Sequence, residues 1–508
     1  MVNKTKKALL VYPEVPKNTY WSFNHALKFV GKKSNMPPLG LITLAALFPE
    51  HWELRLVDMN VSRLRDKDIL WADAVFVSAM IVQKDSFARV VKRCNLLAKP
   101  VVAGGPYPGS SHHEIQGVSH FVLGEVEDTF AAFVDDLEAG RAAELYPAPP
   151  RPGMSRRVIP RYDLLKWKSY ASMAVQYSRG CPFKCEFCDI WKAFGNKPRL
   201  KAPANVLAEL DALYELGWRG AVFVVDDNFI GNKSRAKKEL LPAFIEWQKA
   251  HGFPYRFYTE ASINMAQDTE LLTSMSSAGF NEVFIGIETP SAESLKETGK
   301  VQNLQVNMRQ AIRTIQEHGI EVMAGFILGF DSDTDDIADR QIQFIQQSCI
   351  PQAMVGLLIA LPGTDLYHRL EREGRIIRAS DGNNTDCAAV NFQTRMDGEH
   401  LKAGYRKVMA TIYDKNLKNY FDRCSRLLDT LGKPRLSPRD IRMEELWIAA
   451  KSIIRQPFTP YGVEYVKFLA RNFVKNNSTF SEAIKYGIVG HHFHAITQQI
   501  LATEPAFA

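Results

Sequence analysis

Apolar positions in the first 140 residues fall into short, nearly continuous runs, separated by stretches whose apolar residues recur every three or four positions. The runs are ALLVYP (8–13), LRLVDMN (54–60), AVFVSAM (74–80), VVAGGP (101–106) and HFVLGE (120–125). Between them, LGLITLAALFPE and DSFARVVKRCNLLA carry helical spacing. Alternation of this kind predicts a doubly wound parallel sheet, which binds ligands at the carboxyl ends of its strands. A proline-rich and basic stretch ending in RPGMSRRVIPR then reads as a linker over 141–165. Six further runs follow: SMAVQYS (172–178), AVFVVDDN (221–228), RFYTEASI (256–263), EVFIGIET (282–289), EVMAGFILGF (321–330) and MVGLLIALPGT (354–364). Helical patterns fill the gaps, as in NVLAELDALYELG with its stop at Gly217. Six β/α repeats over 166–369 predict a partial (β/α)6 barrel with its site at the strand ends. From 370 to 508 the spacing turns helical, with breaks at Gly382, Gly432, Pro434 and Pro460. The fold class is therefore α/β, with an N-terminal Rossmann-like domain over 1–140, the barrel, and an α-helical C-terminal domain.

Composition narrows the setting. The chain has 508 residues, 46% apolar and 23% charged, ordinary for a globular protein too long for one core. No apolar run approaches the roughly 20 residues that span a bilayer. The lysine-bearing N-terminus is cut off by Pro13 before a signal peptide could form. Seven cysteines make no disulfide framework, so a cytoplasmic, reducing location is expected. A net charge of +7 is spread along the chain; it could favour anionic cofactors or lipid surfaces but more often marks a solvated face, and no nucleic-acid partner is expected.

One motif changes the picture. GCPFKCEFC places Cys181, Cys185 and Cys188 in a Cys-x3-Cys-x2-Cys spacing directly after a strand. A zinc site recruits four ligands as two separated pairs, and no second pair follows. Three clustered thiolates suit a [4Fe–4S] cluster, which ordinarily takes four, and so leave one iron open. Arg179 and Lys184 flank the loop, where positive charge would stabilise thiolates. Cys94, Cys349, Cys387 and Cys424 lack mutual spacing and read as small buried apolar residues.

This spacing, followed by six β/α repeats, resembles the radical S-adenosylmethionine (SAM) enzymes, whose open iron chelates SAM. The resemblance implies a site at the strand ends. Asp226 and Asp227 close the second strand and could accept from the SAM ammonium, Glu260 and Ser262 end the third, and Glu288 would hold ribose hydroxyls. Gly325 and Gly329 would let backbone approach the adenosine, Phe187 would stack on adenine, and Pro362, Gly363 and Thr364 would lie near substrate.

Set ahead of that barrel, the first domain is similar to the cobalamin-binding domain of cobalamin-dependent radical SAM enzymes, a likeness strengthened by MPPLGL with Pro38. The implied cobalamin contacts are Pro38, Asp58, Ser78, Gly104, Gly105, Gly124 and Glu125. Many such domains ligate cobalt with a histidine from Asp-x-His-x-x-Gly; here the strand end is DMNVSR, without one, and the paired loop histidines His112 and His113 read as solvated.

NFQTRMD (391–397) and AIKYGIVGHHF (483–493) give the helical third a likeness to the hopanoid methylase branch. His491, His492 and His494 read as a packed helix end rather than a metal site. The helices around Tyr465–Phe473 could shape an apolar pocket, touch a membrane peripherally, or simply pack. The resemblance implies a methyltransferase that acts on an unactivated carbon of a polycyclic lipid or tetrapyrrole-like molecule, through a 5′-deoxyadenosyl radical and methylcobalamin. An electron donor such as flavodoxin or ferredoxin would be needed. Two other readings stand beside it: radical cyclisation or rearrangement without methyl transfer, and a non-catalytic metal-binding module.

Overall fold

The computed structural model describes residues 5–385, 390–431, 443–475 and 479–502. Cys387, Gly432 and Pro434 lie outside the described residues. Two six-stranded parallel sheets and a helical layer make up the chain.

The first sheet comprises β1 (Lys6–Tyr12), β2 (Trp52–Asp58), β3 (Ala74–Ser78), β4 (Val101–Gly104), β5 (His120–Val122) and β6 (Leu145–Tyr146), in the order β2-β1-β3-β4-β5-β6. Helices cover both faces. Leu9 and Val11 join one core while Ala8 and Leu10 join the other, which is why the strand sequences are apolar throughout instead of alternating. The sheet runs past the expected limit at 140, because the two-residue β6 pairs with β5 and is too short to leave a periodic signal. Conversely, residues after β1 leave this domain. The helix Asn24–Val30 packs on the C-terminal helices, and Ser34 bridges to Tyr170 beside the barrel.

The second sheet contains β7 (Ser172–Val175), β10 (Ala221–Val224), β11 (Arg256–Glu260), β12 (Phe280–Glu288), β13 (Glu321–Leu328) and β14 (Ala353–Leu357), joined side by side in chain order, with no pairing between β14 and β7. It is the partial barrel that the spacing predicts. Side chains from all six strands line a lumen of about 200 Å³ near its amino-terminal end. A short antiparallel pair, β8 (Ser178–Arg179) with β9 (Arg199–Leu200), stands at the top and closes the loop that carries the cysteines. The helices Gly398–Ile412, Lys418–Thr430, Met443–Arg455, Gly462–Lys475 and Phe480–Ala502 form the last layer. Among the described residues no helix is long and apolar enough to cross a membrane.

Candidate active site at the barrel top

The cysteine loop is fixed at several points before any ligand is considered. Gly180 enters it at φ +94°, and a Cβ there would lie 2.7 Å from the Gly195 carbonyl, so only glycine fits. Its amide donates to Asp227 Oδ2 (2.7 Å), and the Cys181 amide donates to the Gly195 carbonyl (3.2 Å). Further on, Arg369 grips Glu186 with two hydrogen bonds (2.6 and 3.2 Å), and the Leu366 amide donates to the Glu186 carbonyl (2.9 Å). Trp191 Nε1 donates to the Cys185 carbonyl (3.1 Å).

The three thiols are thus presented from a rigid frame, and their surroundings suit an iron–sulfur cluster. Burial pushes all three thiols above the ordinary cysteine range, so they ionise only against compensating positive charge. Asn228 Nδ2 lies 3.8 Å from Cys181 Sγ, and Gln302 Nε2 lies 3.8 Å from Cys185 Sγ. Donors aimed at sulfur are a means by which proteins tune such clusters. The Lys300 ammonium, held protonated by Glu288 (2.6 Å) and by Cys185 against its own burial, adds the cation. Among the described residues no three His, Cys, Asp or Glu side chains converge on a point that one ion could fill.

The carboxylates at the strand ends have distinct partners. Asp226 is buried with both oxygens engaged, by the Tyr177 amide (2.8 Å) and by the Ser178 hydroxyl (2.6 Å); burial pushes its carboxyl up to about 7. It therefore fixes the approach to the cysteine loop. Asp227, pushed up by burial to about 6, does the same through Gly180. Glu260 lies at the edge of the lumen with no side-chain hydrogen bond among the described residues, and burial followed by Asp227 pushes it up to about 7. Ser262 donates to Asn264 Oδ1 (2.7 Å) and receives Asn228 Nδ2 (3.1 Å), which makes it an orienting group for the Asn228–Cys181 contact.

Glu288 is the most unusual of the set. Its φ is +63°, a conformation glutamate rarely adopts, at a register shift between β12 and β13. A Cβ on Gly286 would sit 2.2 Å from Glu288 Oε1, so the GIET sequence needs that glycine. Phe187 packs against Phe330 (6.0 Å) and beneath Lys300 (5.9 Å). Gly325 faces the Phe284 ring, where a Cβ would approach to 3.0 Å. Thr364 caps the helix Asp365–Arg372 by accepting from the Tyr367 amide (3.1 Å).

Lys300, Gln302, Asn228 and Arg369 were not singled out from the sequence. Asn228, Lys300 and Gln302 come from a loop and a helix start without periodic or motif spacing, Arg369 from the polar side of the helix Asp365–Arg372, and only the fold brings them to the cysteine loop.

Family profiles match the chain in three blocks: a B12 binding domain over 32–134, the radical SAM superfamily over 175–345, and a domain of unknown function, DUF4070, over 364–505. The hopanoid C-2 methylase of Rhodopseudomonas palustris strain TIE-1 is 34% identical, over 96% of this chain and 93% of its own length. The chain belongs to the cobalamin-binding radical SAM enzymes. An uncharacterized methyltransferase of Synechocystis sp. is 44% identical, over 84% of this chain and 80% of that one. Among solved structures, the cobalamin-dependent radical enzyme OxsB with aqua-cobalamin and S-adenosylmethionine bound superposes with a TM-score of 0.63 at 15% identity, covering 98% of this chain and 80% of that one. The cofactor set implied by the cysteine spacing and the first domain, a [4Fe–4S] cluster with SAM and cobalamin, is that of the matched domains.

In this radical SAM enzyme the B12 binding domain is locked onto the cysteine loop. Glu125, just beyond β5, accepts from Arg179 (2.7 Å) and from Arg199 (2.5 and 2.9 Å), and Arg179 also reaches Glu127 (2.6 Å). The two arginines are the β8–β9 pair, so the domain clamp and the frame of the thiols are one structure. At the other end of the edge, Asp58 accepts from the Tyr170 hydroxyl (2.8 Å) and from Asn60. Glu125 and Asp58 therefore hold the domains together. Gly105 (φ +88°) lies where a Cβ would come within 2.3 Å of Ser78 Oγ, Gly104 abuts the Val122 carbonyl, and Gly124 (φ +76°) abuts Ala148. Pro38 is buried at the start of the helix Leu39–Ala45. His112 and His113 stand perpendicular, 5.7 Å apart. His491, His492 and His494 each have a separate partner, the Tyr461 hydroxyl (2.6 Å) and the carbonyls of Tyr20 (3.0 Å) and Lys415 (3.1 Å), as expected of packing residues.

Proposed function

We propose that this enzyme transfers a methyl group to an unactivated carbon of a polycyclic lipid. The observation that carries the reading is the clamp of Glu125 with Arg179 and Arg199, which fixes the carboxyl edge of the B12 binding domain directly against the loop of Cys181, Cys185 and Cys188. When bound, the cofactors supply a 5′-deoxyadenosyl radical and a transferable methyl group; the protein positions them and excludes water. The lipid class rests on the hopanoid C-2 methylase likeness along nearly the whole chain.

The residues divide this work. Cys181, Cys185 and Cys188 hold three irons, with Asn228, Gln302 and Lys300 stabilising the thiolate charge. Glu260 is the strand-end carboxylate without a side-chain partner among the described residues, and it serves as acceptor for a cationic ligand group such as the SAM ammonium. Asp227, whose Oδ2 accepts from Gly180, has an Oδ1 without a hydrogen-bond partner among the described residues. Glu288, held by Lys300, presents its other oxygen for ribose hydroxyls, and Phe187 offers a ring face for adenine. The edge at Pro38, Ser78, Gly104, Gly105 and Gly124 offers backbone and small polar groups for cobalamin. Phe223, Phe284 and Met354 give the lumen apolar walls. At about 200 Å³ the lumen is smaller than a multi-ring lipid and lies toward the amino-terminal end of the barrel, beside Lys485, so the substrate binds above it, at the carboxyl-end mouth that the cysteine loop borders. A low-potential carrier such as flavodoxin or ferredoxin supplies the electron, in the cytoplasm.

Anaerobic incubation with methyl-labelled SAM, a reductant and hopanoid extract tests the reading by mass spectrometry. A lipid heavier by one labelled methyl group is expected. Deoxyadenosine accumulating with no labelled lipid would overturn methyl transfer and favour cyclisation or rearrangement.

A further inference from the structure

Two surface features outside the reaction site lie side by side. The first is apolar. The helix Met443–Arg455 exposes Met443, Leu446, Trp447 and Ile454, with Trp447 73% exposed. The turn after it ends on Phe458, 89% exposed, and the helix Gly462–Lys475 exposes Val463, Val466, Phe473 and Val474. Spacings of three, four and seven place these on one face of each helix. Their opposite faces, through Ser452, Tyr465 and Phe468, are buried, and both helices pack on Phe480–Ala502. Core packing therefore explains the inward faces and leaves the outward ones unaccounted for. Isolated exposed apolar residues are ordinary; a run of this length marks a contact surface.

The second is a cleft of about 580 Å³ between the helix Asn24–Val30 and the loop after β2. Six cations line it. Lys17 faces Glu14 (3.5 Å) and Arg93 is paired with Asp66 (2.5 Å). Lys32 and Lys33 donate to the carbonyls of Lys168 and Val61, which accept a hydrogen bond without cancelling charge. Lys28 and Arg63 have no acidic partner among the described residues. Four positive charges thus stand uncompensated in one cleft.

The two features meet. The helix Asn24–Val30, which forms one wall of the cleft, packs against Met443–Arg455, and Lys451 donates across the seam to the carbonyls of Lys28 and Phe29. An acidic protein would complement the cleft and leave the apolar helices in water; an apolar partner would have no use for the cations. A surface that is anionic at its face and apolar beneath answers both. We propose that residues 443–475 and the adjoining cleft form an interfacial docking surface for an anionic phospholipid bilayer. The exposed apolar side chains enter the headgroup boundary, and Lys28, Lys32, Lys33 and Arg63 meet lipid phosphate. That no described helix can cross a membrane accords with a protein that lies on one.

Flotation of the full-length protein with vesicles of phosphatidylcholine, alone or mixed with phosphatidylglycerol, tests this. The protein should float with the mixed vesicles and be released by salt, because exposed charges are screened. The triple variant K32Q, K33Q, R63Q should bind about fivefold more weakly for each cation removed, on the order of a hundredfold in total. The double variant W447S, F458S should fail to float at low salt. All five side chains lie at or near the surface away from the barrel, so unchanged melting curves confirm that each variant is folded. Absence of flotation by the native protein, or flotation indifferent to both variants, would overturn the proposal. So would capture of an acidic flavodoxin, lost in the triple variant, by a protein that ignores vesicles.

Discussion

The barrel buries charge at both ends, and the two ends differ in how that charge is satisfied. At the bottom, Lys485 from the last helix donates to Glu282 (2.8 Å) and Glu321 (2.7 Å), while Glu321 also accepts from Tyr486 (3.0 Å) and Gln352 (2.9 Å). Every charge in that group has a partner, and although the β11–β12 register shifts there between Phe257 and Tyr258, none of Glu282, Glu321 and Lys485 has a positive φ. At the top, one buried and two half-buried thiols share the single Lys300 cation, Glu260 has no side-chain partner among the described residues, and Gln302 Oε1 and Asn303 Oδ1 are buried with none. The backbone there is strained at Glu288. A closed ionic network is structure, and an open one beside strained backbone marks a site. Burial of charge by itself does not distinguish the two.

Substitutions can break this comparison. Cys185→Ala should abolish cluster absorbance and SAM cleavage altogether while leaving the melting temperature of the cluster-free protein almost unchanged; retained cleavage would sink the assignment. Lys485→Met should do the reverse. It strands Glu321 in the core and should cost about 3–5 kcal/mol in chemical denaturation, with turnover per folded molecule preserved. Lys300→Met should fall between, lowering SAM cleavage roughly 10- to 100-fold, as loss of an outer-shell partner does, with partial rescue by Lys300→Arg. Arg179→Ala should have the smallest effect, since Arg199 still holds Glu125. A few-fold drop in methylated product per deoxyadenosine is expected, read by mass spectrometry of both products, because the clamp couples the two halves of the reaction.

The same contrast explains what could be read from the chain alone. The eleven longer strands were legible as short, nearly continuous apolar runs, because most are buried on both faces, and the helical third as apolar positions at helical spacing. The cysteine motif was legible because its spacing is local. Asp58 and Glu125 were found as polar residues at strand ends, yet their partners Tyr170, Arg179 and Arg199 come from 112, 54 and 74 positions away in sequence, so the interdomain role did not show. Lys300 and Gln302 sit in a turn and a one-turn helix after Gly299, where no period exists to reveal that they face the thiols. The strands β6, β8 and β9 have two residues each, too few to carry a pattern. The strain at Glu288 left one trace, the glycine two positions earlier.

The account rests on one iron left open at the top of the barrel for SAM. Electron paramagnetic resonance of the anaerobically reconstituted, reduced protein tests this directly. The account predicts a [4Fe–4S] signal that shifts when SAM is added, and no such signal in the Cys185→Ala protein. A signal indifferent to SAM, or one that survives loss of Cys185, would contradict it.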